Sequence, residues 1–210
     1  FVNAKLSAEK ASTSSKEAVA DTVTPLLAIA AQSKYDSERD PVLKALYAVC
    51  QASADKERTA RSVADAIGRF PAAERRHVLP LLAELATPAA LDAAEAATRD
   101  PDSELVKEAV RVLTKWPSAA PAPRLLELAR TSTDQTVQTL ALRGCIEVAG
   151  LEPDPAKRLA WLRQATAAAR SPSEKKQALG LMGQIPTPEA LQFVLTDLAD
   201  PGLAEEAGLA

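Results

Sequence analysis

His77 is the only imidazole in the chain. No cluster of Cys and no pair of Glu lies near it in sequence, and a zinc site needs three or four such ligands. A hydrolytic triad built on His77 would also need a nucleophile on a sharp turn, and no Gly-x-Ser-x-Gly segment supplies one. His77 is therefore expected to be a helix-surface residue beside Arg75 and Arg76 rather than a catalytic base. Ser-x-x-Lys occurs at Ser7–Lys10, Ser53–Lys56 and Ser173–Lys176. Penicillin-recognising enzymes use that spacing, but always with Ser-Asp-Asn and Lys-Thr-Gly segments, which this chain lacks. Ser53 and Ser173 are better explained as helix N-caps. No phosphate loop, dinucleotide fingerprint or EF-hand is present. The reading assigns no catalytic, cofactor-binding or metal-binding residue and no cofactor.

Cys50 and Cys145 each lie in an apolar helical stretch and read as small buried thiols. Trp116 ends an apolar stripe, in a slot equivalent to Phe70 and Ile185, which argues for a core position. Trp161, near Leu159 and Leu162, is expected to be half exposed. Either indole could stack on a base or a sugar, but the charge opposes nucleic acid. With 25 basic and 28 acidic residues the formal charge is −3, whereas nucleic-acid affinity rests on a clustered basic surface. Lys56, Arg58, Arg61, Arg69, Arg75 and Arg76 form a local basic run, but Glu57, Asp65 and Glu74 interrupt it and it spans two helices, so it reads as solvated surface. After Lys176 no Lys or Arg follows, while Glu189, Asp197, Asp200, Glu205 and Glu206 are acidic.

The elements that carry these residues are helical. The chain is 47% hydrophobic but only 3% aromatic, and most of the apolar content is Ala and Leu, which lose little side-chain freedom in a helix. Seven Gly against 15 Pro suits helices separated by rigid stops. Val and Ile fall at helical spacing rather than in alternation, so no strand is expected. No stretch approaches the roughly 20 apolar residues of a membrane span. No secretory leader is visible, and the opening at Phe1 fits a removed leader or a shortened chain equally well.

Internal repetition organises the helices. Thr87-Pro88-Ala89-Ala90-Leu91 returns as Thr187-Pro188-Glu189-Ala190-Leu191, each followed by an Asp-Pro pair, Asp100-Pro101 and Asp200-Pro201. The offset corresponds to three repeats of about 33 residues. Leu91, Leu125, Leu159 and Leu191 mark the register. Asp40-Pro41, Thr87-Pro88, Asp154-Pro155 and Thr187-Pro188 each place a capping side chain before a Pro at the first helical position, where its missing amide is not needed. The pattern predicts helix pairs at 22–32 with 40–53, 56–69 with 72–86, 88–98 with 103–116, 120–131 with 134–149, 154–170 with 173–185, and 188–199 with 203–210. In this register the two cysteines lie three repeats apart, too far for a disulfide. In 188–199, Leu191, Phe193, Val194, Leu195 and Leu198 are apolar all round the helix, so part of that surface is expected to remain uncovered and to meet another domain or another copy.

The segments from Leu46-Tyr47-Ala48-Val49-Cys50 through Trp116-Pro117 to Leu140-Ala141-Leu142-Arg143-Gly144 resemble HEAT-repeat segments of bacterial, often exported, multidomain proteins. The turn Asp100-Pro101-Asp102-Ser103-Glu104-Leu105-Val106-Lys107 is similar to the Asp-Pro-x-x-x-Val-Arg consensus of such repeats, with one extra residue and Lys for Arg. The resemblance covers residues 22–210 and leaves 1–21 as an extension or extra helix. It implies an all-α fold, a right-handed solenoid of about six HEAT-like hairpins without a β-sheet. In such arrays the second helices line a concave face, and here their alignment puts His77, Lys107, Gln138 and Gln177 in one column. The expected function is a non-enzymatic scaffold for a protein or for another domain of the same polypeptide, with no nucleic acid and no membrane insertion; a small molecule ranks lower. The alternatives are a lyase-type or sugar-related accessory module and a passive spacer between domains. The resemblance implies an exported location, with the cytoplasm the other option.

Overall fold

A computed structural model describes residues 23–197, and all regular structure among them is α-helical. The expected extension 1–21, the helix 203–210 and Leu198 lie outside the described residues. The helices are α1 (residues 23–32), α2 (Asp36–Gln51), α3 (Lys56–Gly68), α4 (Ala72–Val78), α5 (Leu81–Leu85), α6 (Pro88–Ala97), α7 (Ser103–Thr114), α8 (Ala122–Thr131), α9 (Gln135–Ala149), α10 (Pro155–Ala168), α11 (Pro172–Met182) and α12 (Pro188–Asp197).

Helix starts follow local capping chemistry. The Thr87 hydroxyl accepts from the Ala90 amide, and the Asp154 carboxylate from those of Ala156 and Lys157, each just before a Pro at the first helical position. Thr187 repeats the arrangement on the Ala190 amide. Asp102 accepts from the Leu105 amide at 2.9 Å and opens α7.

Three expected starts are corrected. Asp40-Pro41 is not a start, because α2 begins at Asp36 and carries Pro41 inside it. Tyr35 provides the extended residue and its carbonyl accepts from Glu38 and Arg39. One backbone bond is lost at Pro41. Arg39 bridges the Asp36 carboxylate and the Ser33 carbonyl and ties the added turn down. Ser53 is not the cap of α3. Asp55 is, accepting from the Arg58 amide, while the Ser53 hydroxyl receives the Asp55 amide and steadies the turn. Ser173 is not the cap of α11 either. Pro172 occupies the first helical position, so the cap is the residue before it, Ser171, and the Glu174 side chain returns a bond to the Ser171 amide in a capping box.

The span 72–86 is two helices instead of one. Pro80 has no amide to donate and its ring crowds the preceding turn, so α4 ends at Val78 and α5 restarts at Leu81. Val78, Leu79, Leu81 and Leu82 remain buried through the break. Ala86 closes α5 in the left-handed region at φ 51°, a position that glycine usually takes.

The chain divides into two compact units, 1–109 and 110–210, with the division inside α7. In the first unit, α3 packs on α6 and α2 on α5, and α3 also touches α5. Leu46, Val63, Ile67, Leu82, Ala90 and Ala94 form its interior. In the second unit, α8 pairs closely with α9 and α10 with α11, while α10 packs on α8, α11 on α9, and α12 on α11. Leu113, Leu125, Ile146, Leu162, Leu179 and Met182 are the largest of its fully buried side chains. Each fully buried Leu contributes about 2 kcal/mol by leaving water. Gly144 lets α9 approach Thr114 at the end of α7: a Cβ at Gly144 would lie 2.1 Å from the Thr114 methyl carbon.

Candidate interaction surfaces

Of the four residues in the expected column, His77 and Lys107 fall in the first unit and Gln138 and Gln177 in the second. His77 is half-buried near the end of α4, and its Nδ1 lies 3.2 Å from the carbonyl oxygen of Ala31 in α1. A carbonyl only accepts, so Nδ1 is the donor of this bond. His77 thus links two helices instead of standing free on the surface. Its neighbour Arg75 reaches Asp100 at 2.7 Å in a largely shielded pair, with side chains 23% and 13% exposed. The Asp100 carboxyl is held below its ordinary value, first by the Asp102 amide that it accepts and then by Arg75, against an opposing push from burial.

Lys107 is half-buried, with its ammonium 2.8 Å from Glu104. Gln138 is engaged at both ends. Its amide nitrogen donates to the Ser132 carbonyl, closing the turn into α9, and its oxygen accepts from Arg170. Gln177 alone of the four is exposed. In the second unit Gln138 and Gln177 are therefore not equivalent: one braces a turn and the other faces water.

Both cysteines are free and buried. Burial raises the Cys50 thiol and pushes that of Cys145 up to about 12, so neither forms a thiolate near neutrality. Cys145 donates weakly to the Ala122 carbonyl at 3.7 Å. Trp116 is buried, as its place at the end of the α7 stripe requires, and Trp161 is half-exposed. Among the described residues no group of three or more His, Cys, Asp or Glu is placed to hold a metal, and no helix is long and apolar enough to cross a membrane.

Two surface features lie in the second unit. An apolar hollow of about 380 Å³ forms where α11 turns into α12, lined by Met182, Ile185, Pro186, Leu191 and Val194. Leu191 and Leu195, at 59% and 52% exposure, continue it along α12. This agrees with the expectation that the all-apolar helix is not wholly covered. The other is an open groove of about 660 Å³ that sequence reasoning missed. Arg130 of α8, Arg163 of α10, Lys175 of α11 and Phe193 of α12 line it, with Ala160 and Ala167. The Arg163 guanidinium lies over the Phe193 ring, 5.1 Å from its centroid, a cation–π arrangement. Positions 130 and 163 stand about one repeat spacing apart in the sequence, but that spacing alone does not mark them as neighbours. No protein-family model matches the chain, and no curated protein sequence does either.

Proposed function

We propose that the chain is a non-enzymatic interaction scaffold, built of HEAT-like hairpins stacked as a right-handed solenoid, that holds a protein or another domain of its own polypeptide. The observation that carries the reading is the order of packing inside each unit. First helices meet first helices (α3 with α6, α8 with α10), and second helices meet second helices (α2 with α5, α9 with α11). Hairpins that stack in this way share a continuous core and leave the same helix positions open on successive repeats, and such extended faces are what stacked-hairpin proteins use for binding. The second-helix residues His77, Lys107, Gln138 and Gln177 are the interaction surface of this reading. Gln177, exposed and without a local partner, is its most available member.

The test is photocrosslinking from a reactive residue placed at Gln177, in cells that make the protein, followed by binding of the captured species to purified chain. Alanine at all four column positions is expected to weaken that binding with helicity retained. Because Gln138 braces a turn, Gln177→Ala alone is the control for an indirect effect. Unchanged affinity in the fourfold variant removes the column from the scaffold reading.

A further inference from the structure

The geometry points to a second binding surface, the groove of Arg130, Arg163, Lys175 and Phe193, as a docking site for an acidic peptide segment that carries an apolar side chain. It goes beyond the scaffold reading, since none of the four column residues lines it. Three cations converge on the groove, yet its lining contains no carboxylate. Among the described residues none of the three forms an ion pair; Arg130 only donates at 3.4 Å to the Gln164 carbonyl. Arginines elsewhere on the helices do find carboxylates: Arg124 pairs with Glu127 and Arg61 with Glu57. Like charges lining one groove without a carboxylate favour an anion there, so an acidic segment lying along it gains from each of them.

The rest of the lining selects among anions. The Phe193 ring beside Arg163 holds the guanidinium at the groove, where a guanidinium suits the bidentate grip of a carboxylate. Ala160, Ala167 and the Phe193 edge give an apolar floor for one side chain beside the charges. A polynucleotide fits less well. The ring that would stack on a base already carries Arg163, and the basic area is one short groove in a chain of net charge −3, without the long positive track that phosphates follow.

The experiment is fluorescence anisotropy of the whole chain with a labelled Glu-Glu-Leu repeat peptide, against its Lys-Lys-Leu counterpart, single-stranded oligothymidine and phosphatidylserine vesicles. Saturable binding of the acidic peptide is expected, weakening with added salt. Arg163→Glu and Lys175→Glu should each weaken it at least about tenfold, while Arg143→Glu, the same charge change at an exposed α9 position outside the lining, should leave it within about twofold. Circular dichroism checks the fold. Where reversal at Arg163 perturbs it, Lys175→Gln serves instead, with a loss of about threefold expected. The inference is overturned by absence of saturable peptide binding, by an equal loss in Arg143→Glu, or by tighter binding of oligothymidine or vesicles. Groove variants silent toward a partner that the column variants release would remove the groove and leave the scaffold reading standing.

Discussion

Gly144→Ala places a methyl group where two helices leave no room for one. The added Cβ would sit 2.1 Å from Thr114 Cγ2, 2.8 Å from Thr114 Cβ and 3.4 Å from Thr114 Cα, against a comfortable carbon separation of about 3.5–4.0 Å. Rotating Thr114 about χ1 relieves the first contact only. It also gives up the bond that the Thr114 hydroxyl donates to the Arg111 carbonyl at 2.8 Å. The Cβ–Cβ contact can be relieved only if α9 and the end of α7 separate by about 0.7 Å or more. Overpacking of this kind costs roughly 1–3 kcal/mol, and two contacts below 3 Å place it at the upper end. Replacing a mid-helix glycine returns about 1 kcal/mol. The net expectation is a loss of about 2 kcal/mol, or a fall in Tm of about 4–8 °C for a chain of this size. Urea titration and thermal melting by far-ultraviolet circular dichroism read both. The clash also predicts coupling: Thr114→Gly should be less damaging in the Gly144→Ala background than alone, by at least about 1 kcal/mol. A neutral or stabilising Gly144→Ala, or additive single variants, would show that the close approach of α7 and α9 is wrong.

The opposite sign is expected at Gly180, which is exposed inside α11 with nothing within 4 Å of an added Cβ. Gly180→Ala should stabilise by about 0.5–1 kcal/mol, and a loss in urea titration would contradict the open surface assigned there. Asp100 titrates below its ordinary value, so the unfolded chain takes up its proton first as pH falls. Its contribution is full above the ordinary value near 3.8 and drains away through the lower folded value. Asp100→Asn should therefore flatten the loss of stability below that pH, and an unchanged acid limb would deny the shift. Cys145 is displaced upward, from 9.0 to about 12, so its stabilisation is whole below 9.0 and declines as pH rises. The decline reaches about 1.4 kcal/mol at roughly pH 10 and should vanish in Cys145→Ala. Thiol reagent should find two groups after unfolding and react with neither promptly beforehand; fast native labelling would contradict the burial of Cys50 and Cys145.

Local signals with one physical reading translated well into structure. Thr87-Pro88, Asp154-Pro155 and Thr187-Pro188 begin helices because cap and proline agree on the same residue. Asp40-Pro41 carries the same letters and fails, because Arg39 has partners one turn earlier, at Asp36 and Ser33, that hold a longer helix despite the lost bond. That decision depends on where a long side chain ends up, which spacing does not contain. Pro80 was readable as a break, but the apolar run Val78, Leu79, Leu81, Leu82 masks it, since both pieces bury the same face. The four polar residues aligned from the sequence differ in their surroundings, which spacing does not contain. His77 turns toward Ala31, Gln138 braces a turn, and Gln177 is exposed. The groove was least legible of all. Its four main residues come from four helices, and none is unusual until packing collects them.

The repeated pairing of a capping side chain with a following proline has a consequence for how such a chain can change length over time. Thr87, Asp154, Ser171 and Thr187 close their helices' first turns with atoms drawn from within a few residues. At these four starts the capping side chain lies within the segment itself, although the Ala89 amide of α6 also donates to Glu57 of α3 at 3.4 Å. A stretch of coding sequence copied or lost in units of one hairpin would leave these four caps in place, and the new junction would need apolar faces that match. Changes in whole hairpins are then far better tolerated than changes of a few residues, which would move a proline off its first position. The near-constant spacing of the apolar markers Leu91, Leu125, Leu159 and Leu191 is the record such a history would leave.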